Sequence, residues 1–225
     1  MSILLEPLPK QRLQSCPPLN NGDHLSAAEF FRRYKAMEDR GDLRNAELIN
    51  GIVYFMSPLS FESHGQPDSV LQHWLAHYST YATNVEHASN ATLKLGRKDM
   101  PQPDGFLWDT TASNARLTSD GYIEGAPEIV AETSASSVSY DTREKLDSYL
   151  RAGVLEYIIL RTLDNELDWF VLENDEYVRL QADDQGIIRS RYFKGLWLNV
   201  PAMLAHDRRA VLRTLETGFA AAGIS

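Results

Sequence analysis

The sequence of 225 residues predicts an α/β fold, in which a central mixed sheet is flanked by helices on two faces. Segments with helical periodicity alternate along the chain with short strand-like segments, and this order favours helices packed on both sides of a sheet. The nearly continuous apolar run at 128–133 is typical of a strand that is covered on both faces. Hydrophobic residues make up 43% of the sequence and charged residues 24%, as in ordinary globular proteins.

The sequence begins with an arm and a helix. Residues 1–22 hold four of the ten prolines, and we expect this extended arm to become ordered only by docking on the body or on a partner. Residues 23–225 are expected to form one domain. A helix is predicted from Ser26 to about residue 37, because Ser26 and Glu29 have the spacing of a capping box.

A hairpin and a long helix follow. The segment 46–58 predicts two short strands joined by Asn50 and Gly51, which tolerate the positive φ angles of a type I′ turn. Apolar residues at helical spacing predict a long helix with one buried face over 64–81.

The rest of the sequence alternates between strands and helices. Strand-like segments lie at 91–95, 104–108, 128–133, 155–162, 167–173, 177–182, 187–193 and 196–200. A helix is expected over 141–152, where Gly153 directly follows its end, and a closing helix over 211–221.

Composition limits the classes of function. Lys and Arg number 22 against 31 Asp and Glu, and the net charge of −9 is unlike the basic excess of most proteins that bind many phosphates. No apolar run approaches the length of a membrane-spanning helix, and the first residues lack the order of a signal peptide. The single cysteine, Cys16, fits the reducing cytoplasm, where we expect the protein to reside.

Three carboxylates occupy strand positions where their chemistry is informative. Glu47, Asp104 and Glu132 lie within or at the ends of otherwise apolar predicted strands. A carboxylate in such a place is costly to desolvate unless it is paired or binds a cation. Converging carboxylates offer the hard oxygen ligands that magnesium or manganese prefers. The alternative is that each acid pairs with a nearby Lys or Arg, or lies on an exposed edge.

Lys145 and the histidines allow more than one interpretation. Lys145 follows Asp141 at the i, i+4 spacing of a solvated ion pair, but it could instead point towards the end of the strand at 128–133. His73 and His77 lack the intervening glutamate of a helical zinc motif, so a helix flank is favoured. His64 is either a contact at the start of its helix or an auxiliary site residue.

Four segments in one order resemble the Uma-two family of restriction endonucleases, a branch of the PD-(D/E)XK nuclease superfamily. The segments are AELINGIVYFMSP, PQPDGFLWD, GAPEIVAETSASS and YDTREKLDSYLRAGVLEYIIL, and the resemblance covers roughly residues 25–200. The resemblance implies a restriction-endonuclease-like core, here with an N-terminal helix and hairpin and a C-terminal β extension. It also implies magnesium-dependent (or manganese-dependent) hydrolysis of DNA phosphodiesters.

Residue roles are implied by the same resemblance. Asp104 matches the acid of the Pro-Asp motif and Glu132 that of the E-x-K motif, so both would ligate metal. The carbonyl of Thr133 would be a further ligand, and Glu47 would complete the site or orient water.

The lysine of the E-x-K motif is absent, because Ser134 stands in its place. Lys145, on the next helix, matches the position to which that function is expected to move, where it would position water or stabilise the phosphate. The sequence also departs from the family pattern at Ala135, Ile158 and Gly105, the last of which stands where a β-branched residue commonly follows Pro-Asp.

The sequence therefore predicts a divalent-metal-dependent endonuclease that acts on DNA through Glu47, Asp104, Glu132 and Lys145. The alternative is a catalytically idle binding or interaction module with a nuclease fold, and a third possibility is a hydrolase of another phosphodiester. We expect weak, metal-dependent binding of DNA, aided if the basic groups at 94–98 and 189–194 flank the cleft. A homodimer is also expected, with the arm and the C-terminal helix as candidate contacts.

Overall fold

The computed structural model describes residues 16–42, 44–135 and 140–225, apart from the side chain of Asp141. The helices are α1 (Ala27–Asp39), α2 (Gln66–Tyr81), α3 (Leu146–Ala152), α4 (Val200–Leu204) and α5 (Arg208–Ala222). Single π-helical turns at Phe61–Gly65 and Asp141–Lys145 lead directly into α2 and α3.

The strands pair into one central sheet and three smaller ones. They are β1 (Ala46–Ile49), β2 (Ile52–Phe55), β3 (Val85–Ser89), β4 (Leu93–Lys94), β5 (Gly105–Asp109), β6 (Arg116–Leu117), β7 (Ile123–Glu124), β8 (Ile129–Ser134), β9 (Glu156–Arg161), β10 (Glu166–Glu173), β11 (Glu176–Arg179), β12 (Ile187–Arg189) and β13 (Trp197–Asn199).

The central sheet is mixed, as the sequence predicts. Its strand order is β11-β10-β9-β8-β5-β3. Strands β8 and β9 run parallel, and the other neighbouring pairs in this sheet are antiparallel. The chain passes from β8 to β9 through α3, because parallel strands need a crossover connection. Helices α2 and α3 pack on opposite faces of the sheet.

Alternate side chains of β8 enter two separate cores. Ala131 packs in the core beneath α2, whereas Val130 packs on the other face with Tyr149 of α3. Since successive side chains of a strand point to opposite faces, Glu132 is directed to the α3 face and Thr133 to the α2 face. Two adjacent residues at the end of β8 thus make their side-chain contacts on opposite faces of the sheet.

Helix α1 and the β1–β2 hairpin form a unit that joins the body just before β5. Leu48 exchanges two backbone hydrogen bonds with Met100, of 3.1 and 2.7 Å. Asn50 and Gly51 have φ angles of 54° and 79°, which confirms the predicted type I′ turn. The hairpin therefore carries Glu47 towards the strand that follows Pro103.

The second part of the predicted arm, residues 16–22, docks on this unit. Cys16 and Leu19 are buried, and the amide of Gly22 donates to the carbonyl of Val53 at 2.8 Å. Residues 1–15 of the arm lie outside the described part of the chain.

The structure differs from the sequence predictions at several places, and strands β6 and β7 and helix α4 have no predicted counterpart. Strand β3 has no counterpart among the predicted strands, because its polar sequence, VEHAS, becomes a strand only by pairing with β5 at the sheet edge. Helix α2 begins at Gln66 rather than at 64, after the π-helical turn. Ser26 caps α1 as predicted, but the carboxylate of Glu29 binds Arg32 and Arg33 instead of returning to the cap.

The C-terminal helix packs within the chain. Val211, Leu215 and Phe219 of α5 are buried, and the Phe219 ring lies 5.8 Å from that of Tyr78 in α2. This apolar face is therefore occupied by the protein's own body, which argues against its use as the expected dimer contact. Among the helices of the described residues, none has the length and apolar character needed to cross a bilayer.

A fully buried carboxylate ties the C-terminal segment to the central sheet. Glu156 in β9 is 0% exposed. Its Oε2 accepts from the indole of Trp169 at 2.8 Å. Its Oε1 accepts from the hydroxyl of Ser190 and from the amides of Arg191 and Tyr192, at 2.9, 2.7 and 2.9 Å. One side chain thus satisfies four donors.

We predict that Glu156→Leu lowers the free energy of unfolding by about 3 kcal/mol or more, because buried donors lose their acceptor. The matched change Glu176→Leu, on the exposed edge strand β11, should alter it by about 0.5 kcal/mol or less. Urea unfolding of both variants measures the difference. A loss below about 1 kcal/mol for Glu156→Leu would contradict the proposed anchoring role.

Candidate functional site

Three of the four predicted site residues meet in one buried ion-pair cluster. The ammonium of Lys145 lies 3.0 Å from Oε1 of Glu132 and 3.3 Å from Oε2 of Glu47. The three residues are 4%, 3% and 2% exposed, respectively. The cluster joins the hairpin, the end of β8 and the start of α3.

Lys145 reaches Glu132 because of its place at the end of the π-helical turn. The turn runs directly into α3, so Lys145 and Tyr149 lie one helical turn apart on the same side. The hydroxyl of Tyr149 donates to the same Oε1 of Glu132, at 2.7 Å. Lys145 is therefore not on a solvated helix face, the interpretation that its spacing from Asp141 alone favours, and lies where the resemblance places it.

Two tyrosines hold the carboxylates as neutral donors. The hydroxyl of Tyr140 donates to Oε1 of Glu47 at 3.2 Å, and the amide of Gln102 donates to Oε2 at 3.1 Å. Burial, and next the charge of Glu47, raises the pKa of Tyr140. Burial, and next the charge of Glu132, raises the pKa of Tyr149 well above its ordinary value. Both hydroxyls thus keep their protons and act as donors.

Asp104 lies beside Glu132, just before the start of β5 and next to the end of β8. The register pairs Gly105 with Ala131, and one further step places Asp104 opposite Glu132. The amide of Thr133 donates to Oδ2 of Asp104 at 2.7 Å, and Nε2 of His64 lies 3.4 Å from the same oxygen. His64, left open by the sequence, is thus a neighbour of the predicted site.

The carbonyl of Thr133 faces the same side as its amide. The carbonyls of Glu128 and Ser134 accept hydrogen bonds from β9. Because carbonyls alternate in direction along a strand, that of Thr133 points away from β9, towards β5 and Asp104. The two predicted ligands Asp104 and Thr133 therefore lie on one side of β8.

The donor set suits a hard cation. In the described residues, no three His, Cys, Asp or Glu side chains are grouped so as to hold a metal ion. The predicted ligands are two carboxylates, of Asp104 and Glu132, and one main-chain carbonyl. Mg²⁺ is commonly bound through one or two carboxylates, with water and substrate phosphate in its remaining positions. The residues present therefore fit Mg²⁺ or Mn²⁺ as oxygen donors.

Asp68 and Gln72 of α2 were not among the predicted site residues. Oδ1 of Asp68 accepts from Oγ1 of Thr133 at 3.1 Å and from Nε2 of Gln72 at 2.8 Å. No sequence pattern distinguishes Asp68, because an acid in the first turn of a helix is an ordinary complement to the helix dipole.

The basic group at 189–194 does not flank this site. The amide of Arg191 donates to Glu156 of β9. Glu156 is paired in register with Ile129 of β8. Ile129 lies three residues, or about 10 Å, along β8 from Glu132. Arg191 pairs with Glu173. This group thus lies towards the other end of the sheet and is partly neutralised.

In the basic group at 94–98, Lys94 is paired. Lys94 binds Asp120 at 2.6 Å and packs over the rings of Phe31 and Tyr122. Arg97 and Lys98 are exposed next to the hairpin turn.

Comparison with known proteins finds a solved structure with a similar fold and a family model that matches the sequence. A solved structure described as "a putative nuclease belonging to DUF820 from Anabaena variabilis ATCC 29413" is similar with a TM-score of 0.56, over 72% of this chain and 90% of that chain. Its sequence identity is 13%, so the likeness concerns the fold alone. No curated protein matches the chain. The model of the Uma2 (Uma-two) family, described as "Putative restriction endonuclease", matches residues 28–201. The chain therefore belongs to the Uma2 family.

Proposed function

We propose that the protein is a Mg²⁺- or Mn²⁺-dependent endonuclease that hydrolyses DNA phosphodiester bonds. The observation that carries this proposal is the buried cluster of Lys145 with Glu47 and Glu132, next to Asp104 on the adjoining strand. A lysine among carboxylates at the end of a central strand provides both the anionic ligands and the cationic group that phosphodiester hydrolysis needs.

The proposed role of each residue follows from its chemistry. When bound, the metal would lower the pKa of water and offset charge on the phosphate. Asp104, Glu132 and the Thr133 carbonyl would hold it. The ammonium of Lys145 would stabilise negative charge on the phosphate or position the attacking water. Glu47 holds Lys145 from the other side and would orient the same water.

The charge of the site explains how an acidic protein could bind DNA. Two carboxylates meet the ammonium of Lys145 here and Asp104 lies beside them, so carboxylates outnumber the ammonium and would repel phosphate until a cation is bound. The basic groups outside the site lie towards the other end of the sheet or beside the hairpin, and three of their members, Lys94, Arg189 and Arg191, are paired. Binding of DNA should therefore be weak, sensitive to salt and dependent on divalent metal.

A competing function is a binding module that keeps the fold without the activity. In its favour, the described residues contain no ready-made cage of metal-binding side chains. Ala135, where the family commonly has proline, also borders the site. A hydrolase of another phosphodiester, such as a nucleotide, is the third candidate function.

Incubation with supercoiled, linear and single-stranded DNA should give cleavage in Mg²⁺ or Mn²⁺ and none in EDTA. Asp104→Ala and Glu132→Ala should lower the rate by about 1,000-fold, because loss of a metal site costs several kcal/mol of transition-state stabilisation. Glu86→Ala, an exposed acid of β3, is the matched control and should retain the rate.

Isothermal titration with Mn²⁺ separates the two functions. An endonuclease should show binding that disappears in Asp104→Ala, whereas an idle module should show none. Cleavage that persists unchanged in both site variants would contradict the assignment of Asp104 and Glu132.

Lys145→Met should lower kcat by about 100- to 1,000-fold, since a charge-stabilising donor is lost. It should also lower the free energy of unfolding by about 3–5 kcal/mol, because two buried carboxylates lose their cation. The triple variant Glu47→Gln, Glu132→Gln, Lys145→Met should recover most of that stability without activity. Lys35→Met, a half-exposed lysine paired with Glu38, is the control in urea unfolding. Wild-type stability in Lys145→Met would refute the buried ion-pair cluster.

We also propose a homodimer, with the arm at 1–22 as the remaining candidate contact, since the apolar face of α5 is occupied. Light scattering at micromolar concentration should give the mass of two chains, and a monomer would refute this.

A further inference from the structure

A chain of polar contacts crosses the face of the sheet opposite Lys145. His87 of β3 lies 2.9 Å, through Nε2, from Oε1 of Gln72. The amide nitrogen of Gln72 donates to Asp68 at 2.8 Å, and Asp68 accepts from the hydroxyl of Thr133 at 3.1 Å. The chain ends at Asp104, which accepts from the amide of Thr133. It therefore connects an edge strand, α2 and the end of β8 with a predicted metal ligand.

Thr133 is the residue at which these polar contacts converge. Its hydroxyl donates to Asp68 and its backbone amide donates to Asp104. Its carbonyl points to the same side as that amide, and Glu132 directly precedes it. The positions of Asp104, Glu132 and the Thr133 carbonyl, all of the predicted metal ligands, thus depend on where the backbone of Thr133 is held.

Gly105 makes room for this arrangement. A Cβ atom at Gly105 would lie 2.2 Å from Oε1 and 2.8 Å from Nε2 of Gln72, so any side chain there would force the Gln72 amide out of its present position. The departure from the β-branched residue that commonly follows Pro-Asp therefore has a physical reason. In this protein the side-chain amide of Gln72 occupies the space that a β-branched side chain at position 105 would fill.

The placement of Asp68 is costly for a group with only a structural task. Asp68 accepts from the hydroxyl of Thr133 and Asp104 accepts from its amide, so two carboxylates are held by one residue. Repulsion between neighbouring carboxylates costs folding free energy, and such arrangements are frequent at functional sites.

We infer that Asp68 and Gln72 are positioning residues of the nuclease site, which hold Thr133 and through it Asp104 and the end of β8. The inference rests on the proposed function. A displacement of about 1 Å in a catalytic group can cost about 100-fold in rate, so an anchor of this kind has a measurable effect. Residues behind metal ligands commonly change metal affinity or activity by about 10- to 100-fold when they are replaced.

The test uses Thr133→Val and Asp68→Ala. Thr133→Val keeps the shape, the amide and the carbonyl, and removes only the hydroxyl that binds Asp68. Both variants should lower kcat by about 10- to 100-fold and weaken Mn²⁺ binding by a similar factor. KM for DNA should change little, because neither side chain is assigned a contact with the substrate. Thr80→Val, an exposed threonine of α2, is the matched control.

A second pair of variants separates positioning from stability. Gly105→Ala should push Gln72 aside and lower both the thermal midpoint and kcat. The double variant Gln72→Ala, Gly105→Ala removes the clash, so it should recover the thermal midpoint but not kcat or the Mn²⁺ affinity. Recovery of all three quantities together would mean a purely structural role and would overturn the inference.

The outcomes distinguish this inference from the proposed function. If the wild type cleaves DNA and the Asp68 and Thr133 variants stay within about threefold in kcat and Mn²⁺ affinity, the inference fails and the function stands. If the wild type binds Mn²⁺ without cleaving DNA, the Mn²⁺ affinities of the variants decide the inference. If it neither binds Mn²⁺ nor cleaves DNA, both fail.

Discussion

The ammonium of Lys145 is the group on which the rest of the site depends. Glu47 and Glu132 are almost completely buried, and two buried carboxylates side by side are tolerable only with a cation and good donors between them. Lys145 supplies the charge, and the hydroxyls of Tyr140 and Tyr149 supply further hydrogen bonds. The same contacts join the hairpin, β8 and α3, so the electrostatic constraint also fixes how three distant segments of the chain pack.

A second constraint acts at Thr133, on the other face of β8. The alternation of a strand places Glu132 beneath α3 and Thr133 beneath α2, so one short segment is held from both faces. From one side Glu132 is fixed by Lys145 and Tyr149; from the other, Thr133 is fixed by Asp68. The end of β8 is thus held by contacts on both faces of the sheet.

The net charge of −9 has a different meaning once the contacts are known. Several acids are in ion pairs that stabilise the fold, such as Asp168 with Arg161 and Arg179. Others, Glu47, Asp104 and Glu132, lie in the candidate site, where the proposed divalent cation would offset their charge. The overall charge is therefore a poor guide to the partner, because the field at the site depends on which charges face it and which are paired.

The sequence by itself determined the local structure and the chemical types of the site. Asn50 and Gly51 dictated the hairpin turn, helical spacing dictated the buried face of α2, and the strand positions of Glu47, Asp104 and Glu132 marked them as candidates. These features depend on residues close together in the chain. Only the tertiary structure decided between a solvated Lys145 and a buried one, since its spacing from Asp141 fitted both.

Tertiary structure also decided the contacts that have no local signal. Strand β3 exists because β5 pairs with it, and Asp68 joins the site because α2 crosses the end of β8. The side chain of Gln72, which is distant in sequence, occupies the space that a side chain at position 105 would need. Such contacts form between segments distant in the chain, whose distances are set by sheet order and helix packing and not by the residues on either side.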